Sequence, residues 1–189
     1  MIKGFTAGFH FGHTSDIDEK ICKNSKVAEA NPTIVNRKLA SEVKLGRLAG
    51  PFSEPPLPNF KVSPISLREK KDPGKFRLIH DLSHPYDDTS INSNIPKHCK
   101  EVQYASVSSA IKQIQKLGPC CYLAKTDIES AFRLIPIHPS QYHKLGMKWD
   151  GKYFYDKCLP QGLGSSCQIF EKFSTAIQRT FQTPFAYII

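Results

Sequence analysis

Apolar positions along the chain alternate between helical and strand periods, and the switches set the predicted elements. Ile34, Val35, Leu39 and Val43 fall on one helical face, with Asn31-Pro32 shaped as a start and Gly46 placed as a stop. The proline-rich stretch 50–64 is expected to be extended and irregular, because proline lacks the amide that helices and sheet interiors need. Segments 65–71 and 75–82 flank Asp72-Pro73-Gly74 and predict a hairpin. Val107, Ala110, Ile111, Ile114 and Leu117 predict a second helix, with Ser106 as N-cap and Gly118 just past its end. Residues 121–125 read as a short strand leading to Asp127, and Asp150-Gly151 predicts a tight hairpin between 144–149 and 152–158. A third helix over 165–181 turns Ile169, Phe170, Phe173, Ile177 and Phe181 inward, and 185–189 begin another apolar strand.

Hairpins interleaved with helices that return to the same sheet make an α+β pattern. Three strands are expected to converge near Asp127: the one before it, the 144–158 hairpin and the terminal one. Residues 1–30 show no periodicity that assigns a regular element, and 83–105 read as a polar connecting loop.

Charge changes the picture more than size does. A formal net charge of +9 attracts polyanions, of which nucleic acid is the commonest, although a merely basic surface would give the same sum. The six cysteines, Cys22, Cys99, Cys120, Cys121, Cys158 and Cys167, form no CxxC pair, which points to reduced thiols in an intracellular protein of cytosol or nucleus. His10 and His13 make HxxH without a Cys or Glu cluster to complete a zinc shell. No run approaches the ~18 apolar residues of a membrane span, and the N-terminus lacks a signal-peptide core. No membrane partner is expected.

Four places could carry chemistry, and each has a bland alternative. Asp127, at the end of an apolar run, either caps a turn or offers hard oxygens to magnesium, which keeps waters and substrate phosphates in its remaining positions. Glu129 would alternate to the opposite side if the strand continued. Phe132 is either a core ring or a bulky floor that excludes a sugar 2′-hydroxyl. Arg77, with Lys70 or Lys71 across the turn, is either solvated surface or a phosphate grip. In LPQGLGSS at 159–166, the glycines permit close backbone approach and Gln161 can both donate and accept, yet a turn and helix start would explain the same residues.

Taken together in order, LAKTDIESAFRLIPIHP at 123–139, LPQGLGSS at 159–166, SPISLREKKDPGKFRLIHDLSHP at 63–85 and SINSNIP at 90–96 resemble reverse transcriptases of retroelements. The closest likeness is to the DIRS-type retrotransposons, which pair a polymerase with a tyrosine recombinase. The resemblance implies the fingers and part of the palm of a right-hand polymerase, with an antiparallel palm sheet covered by helices on one face. Residues 1–62 would be an N-terminal extension and lead-in, and 63–189 the fingers and partial palm. It further implies that Asp127 binds two magnesium ions (or manganese), assisted by the Ile128 carbonyl. Lys70 and Arg77 would grip a deoxynucleoside triphosphate, the Ser130 and Ala131 amides would hold it, Phe132 would gate the sugar, and Gln161 would touch the incoming nucleotide. Template RNA or DNA with a primer is the implied partner.

That family carries two adjacent aspartates in a hairpin after the second palm helix. The chain reaches Tyr187-Ile188-Ile189, which resembles the approach to that hairpin, and neither carboxylate follows. The expectation is therefore a polymerase cut before its third palm motif, thumb and downstream domains. The other expectation is a catalytically dead, nucleic-acid-binding remnant of such an element. A phosphatase or nuclease built on Asp127 would need a second carboxylate at useful spacing, and none is evident.

Overall fold

The computed structural model describes residues 2–14, 22–104, 106–124 and 127–181. Two short helices, α1 (Ile2–Ala7) and α2 (Lys26–Glu29), precede α3 (Pro32–Lys44). The α3 helix forms as its periodicity predicts. Val35 and Leu39 are buried, and Gly46 takes φ 69° just beyond its end. Asn31 does not cap it through its side chain. The Asn31 Nδ2 instead donates to the Val27 carbonyl at 2.9 Å, tying α2 to α3.

The proline-rich stretch is more regular than expected at its start. Residues Leu48–Phe52 form β1, which pairs antiparallel with β5 (Lys152–Asp156), and β5 pairs with β4 (Gly146–Trp149). The order β1-β5-β4 leaves β1 on an edge, where Pro51 needs no ladder partner for its missing amide. A register shift between Ala49 and Phe52 absorbs the Gly50-Pro51 pair. The turn between β4 and β5 is the predicted one, with Asp150 at φ 47° and Gly151 at φ 70°.

The second sheet is the predicted hairpin, β2 (Ile65–Glu69) with β3 (Phe76–His80), paired from Ile65↔His80 to Glu69↔Phe76. Between 83 and 104 the chain makes turns and a 3-10 turn at Lys97–Cys99, anchored by buried Ile91 and Ile95. The helix α4 (Val107–Leu117) begins and ends as read: Ser106 Oγ accepts from the Ser109 amide at 3.0 Å, and Gly118 sits at φ 83°. Its apolar stripe is only partly covered: Ile114 is half-buried, whereas Val107 is 78% exposed.

The strand expected before Asp127 does not form. Residues 121–124 have no ladder partner, and Tyr122 and Leu123 stand exposed. An apolar run becomes a strand only when a neighbour pairs with it, and no described strand pairs with this one. The third strand of this sheet is thus β1, from far upstream. The expected terminal strand over 185–189 lies outside the described residues.

Two larger cores and a small cluster of Phe60, Val62 and Tyr153 hold the fold together. One joins α3 to both sheets through Val35, Leu39, Ile65, Leu67, Met147, Trp149 and Phe154. The other gathers Ile91, Ile95, Ile135, Ile137, Leu159 and Ile169 of α5 (Ser166–Phe181) around Phe11. The N-terminal strap enters this second core as a β-bridge, with Phe9 N donating to Pro136 O at 2.9 Å and His138 N to Phe9 O at 3.0 Å. The described part of residues 1–62 is therefore built into the same cores as the rest.

Candidate functional site

A cleft of about 400 Å³ opens where the β2–β3 hairpin, α3 and the turn after Asp127 face one another. The hairpin brings Lys70, Phe76 and Arg77, and α3 brings Lys38 and Glu42. The turn brings Asp127, Ile128, Glu129 and Ser130, while the loop after β5 brings Pro160 and Gln161. Six residues singled out from the sequence, Lys70, Arg77, Asp127, Ile128, Ser130 and Gln161, thus share one wall-to-wall space although 91 positions separate the first from the last.

Phe132 does not share it. Ser130 takes a left-handed conformation (φ 55°, ψ 33°), and the chain then enters a 3-10 turn at Ala131–Leu134. That turn aims the Phe132 ring at the core, edge-on to Phe170 with centroids 5.7 Å apart, and neither Ala131 nor Phe132 lines the cleft. Glu129 departs from expectation in the other direction. With no strand to continue, the chain turns at Glu129, and its side chain lines the cleft beside Asp127.

The rim and the floor differ electrically. Among the described residues, Lys38, Lys70, Arg77, Asp127 and Glu129 form no ion pair with one another or with any other group. Arg77 also stands directly opposite Arg68 in the ladder, a like-charge pair that costs stability unless an anion lies against it. The floor, by contrast, is fully matched. His80 Nδ1 donates to Asp156 Oδ2 at 2.9 Å, and its Nε2 lies 3.1 Å from the Gly146 carbonyl. Arg133 Nη1 meets Asp156 Oδ1 at 2.7 Å and Arg133 Nε meets Glu42 Oε2 at 2.9 Å. The same guanidinium donates to the carbonyls of Cys158, Leu159 and Arg47.

These partners decide the protonation states. Burial alone pushes the Asp156 carboxyl up, but Arg133 and His80 outweigh it and hold the group below the ordinary carboxylate range. Burial likewise opposes the Arg133 charge, and Asp156 with Glu42 more than restores it. Burial raises the Cys158 thiol nearby, against the opposing pull of Arg133. No local motif in the sequence announces Lys38, Glu42, His80, Arg133 or Asp156. The only trace is the i,i+4 spacing of Lys38 and Glu42 beside the buried stripe of α3.

Among the described residues no group of three or more His, Cys, Asp or Glu side chains could hold a metal ion. Of the carboxylates lining the cleft, Glu42 and Asp156 are engaged by Arg133, which leaves Asp127 and Glu129. His10 stacks on His138 at 4.3 Å and His13 Nδ1 accepts from Lys144 Nζ at 2.9 Å, so the HxxH pair is engaged elsewhere. All six cysteines are free thiols, and no helix among the described residues is long and apolar enough to cross a membrane.

No protein-family model matches the chain, and neither does any curated protein. Its similarity to solved structures is nonetheless clear: the fold is that of the reverse transcriptases, an α+β arrangement consistent with part of the fingers and palm. The foamy viral protease-reverse transcriptase in complex with an RNA/DNA hybrid aligns with a TM-score of 0.61 at 19% identity, over 95% of this chain and 22% of that one. The same kind of protein in complex with dsDNA aligns at 0.59, with 19% identity over 94% of this chain and 33% of that one. The native prototype foamy virus protease-reverse transcriptase aligns at 0.58, with 20% identity over 94% and 21%. This chain therefore spans a fifth to a third of the length of the polymerases it matches, and at such identity the likeness establishes the fold.

Proposed function

We propose that the chain is a reverse-transcriptase domain of a retrotransposon, of the DIRS type, whose cleft takes a deoxynucleoside triphosphate. One observation carries the reading: two unpaired carboxylates and three unpaired cations line one space of about 400 Å³. That division suits a polyphosphate bound with a divalent cation. Cations take the phosphate oxygens, and carboxylates take the metal. The domain boundary at 62/63 belongs to the same proposal, as does an intracellular location.

In this reading Arg77 supplies a planar fork and Lys70 a point charge to the phosphate chain. Gln161 lies beside the base and sugar. Ser130 and Ala131 would offer backbone amides, and Phe132 would gate the sugar only once its ring left its packing on Phe170. The Asp127 and Glu129 oxygens fit one hydrated magnesium ion (or manganese), with the Ile128 carbonyl assisting, and magnesium bound there would neutralise developing charge on the transferred phosphate. A second ion needs further carboxylates, which the described residues do not provide. Full polymerase activity is accordingly assigned to a longer protein that adds paired aspartates to this cleft.

Primer extension with magnesium tests this. Residues 1–189 alone should incorporate no nucleotide, and fusion to a downstream segment bearing two aspartates should restore incorporation, abolished again by Asp127→Asn. Robust extension by the chain alone would sink the assignment. A second reading, a nucleic-acid-binding remnant without chemistry, draws on the Arg68↔Arg77 pair. If it alone is right, an RNA–DNA duplex binds with a salt slope that drops by about 2 when both arginines become Gln, and no fusion restores incorporation.

A further inference from the structure

The hairpin β2–β3 and the sheet β1-β5-β4 share no ladder, so something else must set the distance across the cleft. Asp156 on β5 is the point where both sides meet. On one side it holds His80, and Arg77 lies three residues earlier on the same short strand. The His80 amide also donates to the Gln161 carbonyl at 3.1 Å, which places the loop bearing Gln161. On the other side Asp156 holds Arg133, whose own amide closes the turn by donating to Ser130 O at 2.7 Å. Asp127 and Glu129 sit at the mouth of that turn. Arg133 then reaches Glu42, one helical turn past Lys38.

We infer that Glu42, Arg133, Asp156 and His80 form a positioning relay, which sets the separation between the cleft's phosphate-facing cations and its metal-facing carboxylates. The inference rests on the reading of the cleft as a site for a triphosphate with a divalent cation. Stability alone does not call for these groups. Apolar residues of similar volume often serve as well as a buried ion pair or better, whereas removal of one partner leaves a stranded charge. What apolar packing cannot supply is direction. A guanidinium with five donors in a fixed plane, met by two carboxylates and three carbonyls, orients every segment it touches. A shift of about 1 Å between ligand-binding groups is enough to degrade a site.

The test uses the double variant R133M/D156L in the intact chain, with a fluorescent deoxyadenosine triphosphate as probe, titrated with and without magnesium. The relay predicts affinity for the magnesium-bound nucleotide about 10-fold weaker and loss of most of the gain that magnesium confers, whatever the change in urea midpoint. D156N keeps shape and volume and should show the same loss, so the question stays answerable if the double variant fails to fold. A merely structural network predicts altered melting with unchanged magnesium dependence. If the parent binds and both variants bind equally well with the same magnesium gain, the relay is wrong and the cleft reading stands. If the parent shows no magnesium-dependent binding, both are wrong, whatever the variants do.

Discussion

Acidification between neutral pH and about pH 5 should destabilise this protein through His13, well before its carboxylates titrate. His13 is buried, and its Nδ1 accepts from Lys144 Nζ at 2.9 Å, a contact that only the neutral ring can make. Burial first, then the charges of Lys144, Lys61 and His143, lower its pKa from 6.5 to about 4. The folded state thus refuses a proton that the unfolded chain accepts. Stability is complete above the ordinary value and drains away as pH falls toward the folded one. Each pH unit in that window is worth up to about 1.4 kcal/mol, so the step from about pH 7 to about pH 5 has a ceiling of about 2 kcal/mol. Solvent contact at the edge of the site reduces this to about 1 kcal/mol. His143, lowered by burial and by Lys144 against a hydrogen bond that its ring donates to the Ser140 backbone, adds to the loss with the same sign. Asp156 acts elsewhere: its depressed pKa keeps its contribution intact until pH falls below the ordinary carboxylate range. Urea unfolding followed by the fluorescence of buried Trp149 reads the effect directly. H13Q keeps an acceptor for Lys144 and cannot take the proton, so it should lose about 1 kcal/mol less than the parent over the same step. Equal losses in parent and H13Q would refute the argument.

The other expectations concern packing and backbone. Gly162 sits at φ 120°, and an added Cβ would lie 2.0 Å from the His80 carbonyl. G162A should therefore cost roughly 3 kcal/mol or more and shift the loop that carries Gln161, measured as a lower melting temperature together with weaker nucleotide binding. Phe11 is 1% exposed in the second core, so F11A should cost about 3–5 kcal/mol in urea unfolding, although it lies in a strap that precedes both sheets. R77Q should weaken binding of the fluorescent triphosphate about 10-fold by direct titration, because it removes a charge that has no partner within the described protein.

How far the structure was legible depended on whether its cause was local. Asp72-Pro73-Gly74 and Asp150-Gly151 announce their hairpins because turn chemistry is written in adjacent residues, and Ser106 and Gly118 bound α4 for the same reason. The run before Asp127 misled because its fate rested on a partner. No described strand pairs with it, and the sheet's third strand is β1, which Pro51 had disguised as irregular chain. The same division runs through the cleft. That Lys70, Arg77, Asp127 and Gln161 line one space was legible in ordered motifs. The direction of Phe132 was not, since it follows from a positive φ at Ser130 that a non-glycine residue gives no warning of. The ion-pair set of Glu42, His80, Arg133 and Asp156 was not legible, because their relation exists only in three dimensions.

Pairing separates what these charges do. On the floor, each charge has a partner within about 3 Å, and the desolvation of Asp156 and Arg133 is offset by their mutual attraction and by carbonyl acceptors. Such a set has no valence left for a ligand. On the rim the opposite holds, with Arg68 and Arg77 held side by side against their repulsion and Asp127 and Glu129 left without a cation. Those four groups are exposed, so water carries their charge and pairing them would return little to the fold. Their placement on a matched, rigid floor is the physical reason to look for an external partner that carries both signs. A polyphosphate with its divalent cation has that composition, and a nucleic-acid backbone alone does not.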